Sequence, residues 1–213
     1  MYDIDSNIIE RNMFYKNELI LKYKIEYPKI ISKSCIGNKF NEFNLKKALY
    51  LQNYAENNLF EEAVKQYEYN VKNGYPIMVY ELYYTYNITY NKSNIVSLTT
   101  DNYIFSGGAH GLTKREGQTW NMSCQRLMNL KEFYKCDSNY IVEILKQIIS
   151  QIEIQMEKGE NNYFDNYCSL VLNTFNENQF YIISENELAI FFNQYDIAPY
   201  SSGIPVFIVK RCN

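Results

Sequence analysis

The chain of 213 residues contains a single histidine, His110, and that scarcity excludes more chemistry than any other feature. A zinc centre built on paired imidazoles is ruled out, including the H-E-x-x-H kind. No G-x-S-x-G elbow, P-loop or G-x-G-x-x-G follows a strand-like segment, so neither a cofactor nor a metal is expected. Adjacent acids are scarce, and the pair Glu61-Glu62 falls on a helical stretch where neighbours point apart. Long apolar runs are also missing. The most apolar helical segment, Tyr140 to Met156, is interrupted by Glu143, Lys146 and Glu153 and does not make a membrane span. The opening residues Met1-Tyr2-Asp3-Ile4-Asp5 are acidic where a signal peptide is basic, and no apolar stretch follows, so the sequence as written reads as cytosolic. Net charge is −3, and the basic pair Lys114-Arg115 is followed at once by Glu116. That scatter of charge argues against a nucleic-acid partner, which needs a concentrated positive field.

What is present points to a globular protein. With 46% hydrophobic and 21% charged residues, a chain of this length buries roughly 70% of the surface its unfolded form exposes. It needs no disulfide or metal to hold a core. The five cysteines are odd in number and lack C-x-x-C spacing. They read as reduced, mostly buried small hydrophobes, with one bridge such as Cys124–Cys136 as the alternative. Tyrosine is abundant, at 22 residues. It suits half-buried sheet faces, and it also suits a stacking platform for sugars or peptides.

Periodicity gives the fold class as α+β, with two closely packed helix-on-antiparallel-sheet halves. Residues 1–14 show no clear period and read as a loosely held leader. Leu19, Leu21, Tyr23, Ile25 and Tyr27 alternate as in a half-buried strand, with Pro28 marking an edge or bend. A helical stretch over 41–72 places Leu45, Leu49, Phe60, Ala63, Val64, Tyr67 and Val71 on one stripe, and Asn57-Asn58 is a candidate break. Asn73-Gly74 and Pro76 stop it. Met78 through Tyr90 alternate more clearly than any other segment. Strands at 95–105, with a bulge suggested at Asp101-Asn102, and around Thr119-Trp120-Asn121 complete a meander. Asp137 or Ser138 caps a helix whose stripe is Ile141, Ile144, Leu145, Ile148, Ile149, Ile152 and Met156, ended by Lys158-Gly159. A short helix near 164–174, a hairpin over 179–193 and a last strand at 206–210 follow.

Two segments carry the candidate site. In Phe105-Ser106-Gly107-Gly108-Ala109-His110-Gly111, three glycines flank the histidine directly after a strand, so the backbone adopts conformations closed to residues with a Cβ. The segment is either a ligand-contacting loop or a tight connection whose imidazole satisfies backbone groups. In Phe191 to Gly203, a strand runs into a proline turn that carries Tyr195, Pro199, Tyr200 and Ser201. That is either a contact surface or a structural corner.

These two segments, with the Trp120-Asn121 strand and Leu130-Lys131-Glu132-Phe133-Tyr134, resemble the RsiV-like domain of anti-sigma factors. Residues from about 15 to 90 are similar to the companion domain that precedes it there and in the PdaC type of peptidoglycan deacetylase. The resemblance divides the chain into the leader, a companion domain at 15–92 and an RsiV-like domain at 93–213. It implies an extracytoplasmic recognition module whose partner is a lysozyme-like protein or a peptidoglycan fragment. The resemblance covers the recognition part alone: no stretch of these residues reads as the sigma-binding segment or transmembrane helix of the one pattern, or as the metal-binding catalytic domain of the other. Glu185-Asn186 replaces a glycine-containing turn, a change that a left-handed Asn tolerates. The expected function is therefore non-catalytic binding, with Ser106, Gly107, Gly108, Ala109, His110, Gly111, Tyr195, Pro199, Tyr200 and Ser201 as contact residues. The two loops are expected to lie close together and share one ligand. The alternatives are a structural or assembly protein without a sensing role, and a cell-wall enzyme working through carboxylates that meet from distant positions.

Overall fold

The computed structural model describes residues 1–32, 35–134, 139–160 and 162–210. The chain divides into two compact units, neither of them a continuous stretch of sequence. An N-terminal unit holds residues 2–86 and 101–113. A C-terminal unit holds Met1, 87–100 and 114–213.

The N-terminal unit begins with a strand where a leader is expected. Strand β1 (Ile4–Tyr15) pairs antiparallel with β2 (Glu18–Ile30) along nearly its whole length. The two-residue turn between them, Lys16-Asn17, has positive φ at both positions, the hairpin turn whose twist matches that of the flanking strands. The alternation of β1 is hard to see in sequence because its inner face mixes Ile9 and Met13 with Arg11 and Asn7.

A helical layer follows: α1 (Asn38–Asn53), a π-helical turn over Tyr54–Leu59 and α2 (Phe60–Asn73). The Asn57-Asn58 pair does not break the helix; it widens it, and Asn57 Nδ2 donates back to the Asn53 carbonyl. Gly74 ends α2 in the left-handed conformation, as its sequence predicts. The buried stripe of α1 is not the expected one. Leu45 and Leu49 are exposed, and Phe40, Asn44, Ala48 and Leu51 face inward, continuing through Ala55, Leu59 and Ala63. Small alanines let the helix axis approach the sheet closely, and that gain in contact sets the rotation of the helix.

β3 (Tyr80–Lys92) returns beside β2, and the two run parallel, Leu21 opposite Tyr80 and Ile25 opposite Tyr84. This corrects the expectation of a wholly antiparallel sheet. A helical crossover lies between β2 and β3, and such a connection is what parallel neighbours require. Pro28 sits beyond the paired part of β3, where its missing N–H costs no ladder bond. Ile20, Leu21, Tyr23 and Ile25 of β2, with Tyr80, Leu82 and Tyr84 of β3, close the core against the helical layer.

β4 (Ile95–Phe105), β5 (Leu112–Asn121) and the two-residue β6 (Arg126–Leu127) complete the order β1-β2-β3-β4-β5-β6. β4 is extended through Asp101-Asn102. Ser93 and Asn94, both with positive φ, turn β3 into β4.

In the C-terminal unit, α3 (Tyr140–Glu157) buries Tyr140, Ile144, Ile148 and Ile152, with Ile141, Leu145 and Ile149 half-buried beside them. Met156, expected on that stripe, is exposed. The predicted cap at Asp137 or Ser138 lies outside the described residues, and the residue before the helix is Asn139. α4 (Tyr167–Thr174) follows, then the antiparallel sheet of β7 (Phe180–Ile182), β8 (Glu187–Phe191) and β9 (Val206–Lys210). Asn186 is not left-handed; instead its N–H donates to Ser184 Oγ across the turn. Gly117 of β5 lies against β7, where a Cβ would stand 2.0 Å from the Phe180 carbonyl oxygen. Ser97 Oγ accepts from the Ile182 N–H at 2.9 Å in the same region. Contrary to the expectation of mostly buried cysteines, Cys35, Cys124 and Cys168 are free and exposed. Cys136, the other half of the suggested bridge, lies outside the described residues.

Candidate functional site

The glycine loop after β4 lines a groove of about 330 Å³ in the N-terminal unit. Ser106, Gly107 and Gly108 form one side, and Gln66, Tyr69 and Asn70 of α2 with Tyr75, Pro76 and Met78 form the other. Gly107 and Gly108 have φ of 94° and 92°. A Cβ at Gly107 would make only ordinary contacts, 3.7 Å from the Met78 sulfur and 4.0 Å from the Tyr80 ring and hydroxyl, so glycine is needed there for its backbone angle and not for space. Gly111 is different: a Cβ would stand 2.5 Å from the Tyr103 ring and 2.6 Å from the Ile104 carbonyl oxygen. The first two glycines shape the loop and the third seats Tyr103.

The opposite wall is built by the end of α2. The Asn70 side chain is buried, accepts from Gln66 Nε2 at 2.8 Å and donates to the Pro76 carbonyl at 2.8 Å. The Tyr75 N–H donates to the Asn70 carbonyl. These bonds fold the 74–79 segment back onto the helix and stack the Tyr69 and Tyr75 rings, centroids 6.1 Å apart and 27° from parallel. Both tyrosines are 56% exposed. Among the described residues, the backbone groups of 106–109 make no turn hydrogen bond. The groove therefore offers open aromatic faces beside open polar backbone, the combination that takes a flat, hydroxyl-rich ligand. His110 is exposed at the far end of the loop, its Nδ1 3.1 Å from the Gly111 carbonyl.

A second depression, of about 420 Å³, is lined by Glu10, Arg11, Asn12, Lys22, Tyr23, Lys24 and Tyr83. Its cations are largely committed: Lys22 pairs with Glu81 at 2.8 Å, and Arg11 with Glu56 at 3.2 Å. Glu56, on the π-helical turn, also accepts from Tyr23 Oη at 2.5 Å and from Gln52. The Tyr23 hydroxyl, more than the other donors, holds the Glu56 carboxyl below the usual range. Burial, with Glu56 second, pushes Tyr23 up to about 12.

The proline turn of the C-terminal unit is tied inward. The Asn193 side chain accepts the Arg115 N–H at 2.7 Å and donates to the Arg115 carbonyl, locking the end of β8 to β5. The Asn193 N–H donates to Asp196 Oδ2, and burial raises the Asp196 carboxyl above the ordinary aspartate value. Ile197 and Ala198 are buried, the Ile197 carbonyl accepts from the Phe164 N–H, and Ser202 Oγ donates to the Asn162 carbonyl. What faces outward is Tyr195, with φ of 70° and 49% exposure, its ring 6.0 Å from the half-buried Tyr200. Pro199 is half-buried and Ser201 exposed.

Comparison with known proteins divides the chain in a similar way. Residues 15–113 match the family model described as Deacetylase PdaC, and residues 131–211 match a protein family of unknown function, DUF3298. The chain joins a PdaC-type region to a DUF3298 region. Its fold is shared with a DUF3298 family member from Bacteroides fragilis, at 15% identity and a TM-score of 0.70 over 98% of this chain and 90% of that one. A DUF3298 family protein from Pseudomonas aeruginosa, at 12% identity, gives a TM-score of 0.64 over 99% and 91%. No curated protein sequence matches the chain.

The glycine loop falls in the PdaC-type region, and Tyr195, Pro199, Tyr200 and Ser201 fall in the DUF3298 region. The groove adds Tyr69, Tyr75 and Met78, which sequence reasoning missed. Tyr75, between the helix-ending Asn73-Gly74 and Pro76, is the available signal, and that stretch by itself says only that the helix stops. Among the described residues, no group of three His, Cys, Asp or Glu side chains is placed to hold a metal ion, and no helix is long and apolar enough to cross a membrane.

Proposed function

We propose that this chain is a non-catalytic recognition module whose ligand is a cell-wall glycan fragment. The observation that carries the reading is the groove in which the stacked, exposed Tyr69–Tyr75 pair faces the Ser106-Gly107-Gly108 backbone. Sugars present alternating apolar faces and hydroxyl edges. Tyrosine rings take the faces at low entropic cost, and backbone N–H and C=O groups take the edges. The volume sits at the small end of ligand clefts, which run roughly 300–1,000 Å³, and suits a short saccharide. The match to a family model described as Deacetylase PdaC, taken with the resemblance of residues 15–90 to the companion domain of peptidoglycan deacetylases, supports a cell-wall ligand, and the reading belongs with an extracytoplasmic location.

Titration calorimetry with soluble muropeptides and N-acetylglucosamine oligomers tests this. Binding is expected, weakened about tenfold or more by Tyr75→Ala and by Tyr69→Ala, with the thermal transition little changed. No heat with any glycan, or binding indifferent to both substitutions, overturns it.

A second reading, recognition of a lysozyme-like protein, is favoured by the resemblance to RsiV-like domains and by the outward Tyr195–Tyr200 pair on a rigid corner. Titration with several muramidases, using Tyr200→Ala and His110→Ala as probes, separates it from the first.

A further inference from the structure

We infer that β1 is a self-complementary edge, and that two copies of this chain associate through it, β1 against β1 about a two-fold axis. β1 is a twelve-residue strand standing first in the sheet order, and among the described residues only β2 pairs with it. A long unpaired strand edge is a template for another strand, and proteins usually blunt it with a bulge, a proline or lysines. β1 has none of these between Ile4 and Asn12: its register irregularity comes later, at Met13/Phe14.

The orientation of the free groups follows from Pro28. Ser6 lies opposite Pro28, which has no N–H to give, so that pair is not hydrogen-bonded and the Ser6 N–H and C=O point away from β2. Two contacts agree. The Ser6 N–H donates to Asp5 Oδ1 instead, and one position beyond the strand the Ile31 N–H donates to the Asp3 carbonyl, placing the odd-numbered residues on the inner ladder. The outward groups therefore belong to Ile4, Ser6, Ile8, Glu10 and Asn12.

A two-fold antiparallel partner must set outward residues opposite outward residues. Centring the axis on Glu10 opposes two glutamates, and centring it on Arg11 opposes two arginines. Centring it on Ile8 pairs the whole span 4–12. Ile8 meets its own copy, Ile4 meets Asn12, and Ser6 meets Glu10. On the helix-facing side, Asp5 stands opposite Arg11 twice, at positions without ladder bonds, where side chains come closest. Arg11 keeps its Glu56 contact through one nitrogen and has further donors for Asp5, and Asp5 is released to it when the Ser6 N–H turns from Asp5 Oδ1 to the carbonyl of Glu10 in the second copy. Ile8, 51% exposed on a strand edge, is the apolar centre of this pairing. The interface is isologous and closed, so it ends at the dimer.

Sedimentation velocity over a concentration series, with amide hydrogen exchange on the same samples, tests the inference. The wild type is expected to form a reversible dimer in which the Ile8, Glu10 and Asn12 amides slow with concentration. Ile8→Pro removes an N–H that β2 does not use, and it should raise the dimer dissociation constant at least about tenfold while circular dichroism stays native. Asp5→Arg places like charges opposite Arg11 and should weaken the dimer as well. The exchanged pair Asp5→Arg with Arg11→Asp should restore it, which a merely unfolded strand would not. A single-chain mass up to about millimolar concentration, with the three amides unprotected, overturns the inference. So does a dimer that Ile8→Pro, Asp5→Arg and their controls leave unchanged.

Discussion

The glycine loop at 106–111 and the proline turn at 193–205 look alike in sequence. Each follows a strand, and each combines residues of restricted or unusual backbone with aromatic neighbours. They differ in where their hydrogen-bonding capacity goes. In the proline turn, Asn193, Asp196, Ile197 and Ser202 spend it on Arg115, on each other, on Phe164 and on Asn162, and Ile197 and Ala198 are part of the core. In the glycine loop, residues 106–109 leave their backbone groups open beside two exposed tyrosine rings. Rigidity alone therefore does not mark a binding loop. A corner is rigid because its groups are satisfied internally, and a recognition loop is held from beneath with its groups still open.

Substitutions that break the supports sharpen this contrast. The largest effect is expected at Gly117→Ala, where a methyl would stand 2.0 Å from a backbone oxygen of β7. Neither backbone moves without disturbing a packed core, so urea denaturation should show a loss of roughly 3 kcal/mol or more. Asn193→Ala removes the clamp on Arg115 and should cost about 1–3 kcal/mol, since the two backbone groups it leaves are half-buried. Gly111→Ala, against the Tyr103 ring and the Ile104 carbonyl, should fall in the same range of about 1–3 kcal/mol. Tyr75→Ala should change stability by no more than about 0.5 kcal/mol while reducing glycan binding. Equal losses of stability at Tyr75 and Asn193 would erase the distinction between the two loops.

The smallest effects concern pH, and they carry opposite signs in the two units. Glu56 has a depressed folded pKa, so its contribution is present above the ordinary glutamate value and is lost as pH falls through the folded value. Glu56→Gln should flatten the acid limb of a stability-versus-pH curve. Asp196 has a raised folded pKa. Its contribution is full below the ordinary aspartate value and is lost as pH rises through the folded value. Asp196→Asn should therefore flatten the curve in the opposite direction, with thermal melts from pH 3 to 7 (roughly the carboxylate range) as the measurement.

Much of the fold was legible. The strands at 80–92 and 206–210, the α3 stripe and the helix stop at Gly74 follow from period and turn chemistry, which are local properties of the chain. What sequence reasoning missed has a common physical cause. β1 hides its period because its inward positions include Arg11 and Asn7 while the outward face carries the apolar Ile8. The α1 stripe is misread because alanines that allow close approach are weak in hydropathy, while the bulky Leu45 and Leu49 are strong and exposed. The groove is missed because its walls come from residues about thirty apart in sequence.

The sequence by itself determined the class of the protein: an α+β chain with one histidine, no spaced metal ligands and no nucleophile motif. It also determined the left-handed backbone at Gly74, Gly107 and Gly108, because a positive φ is a local demand. Only the tertiary structure decided that β2 and β3 run parallel, that Asn193 turns a proline loop into a fixed corner, and that Tyr69 and Tyr75 stack across from Gly107. Those outcomes depend on which distant groups the crossover and the sheet bring within hydrogen-bond and ring-contact range, and no local pattern along the chain encodes that meeting.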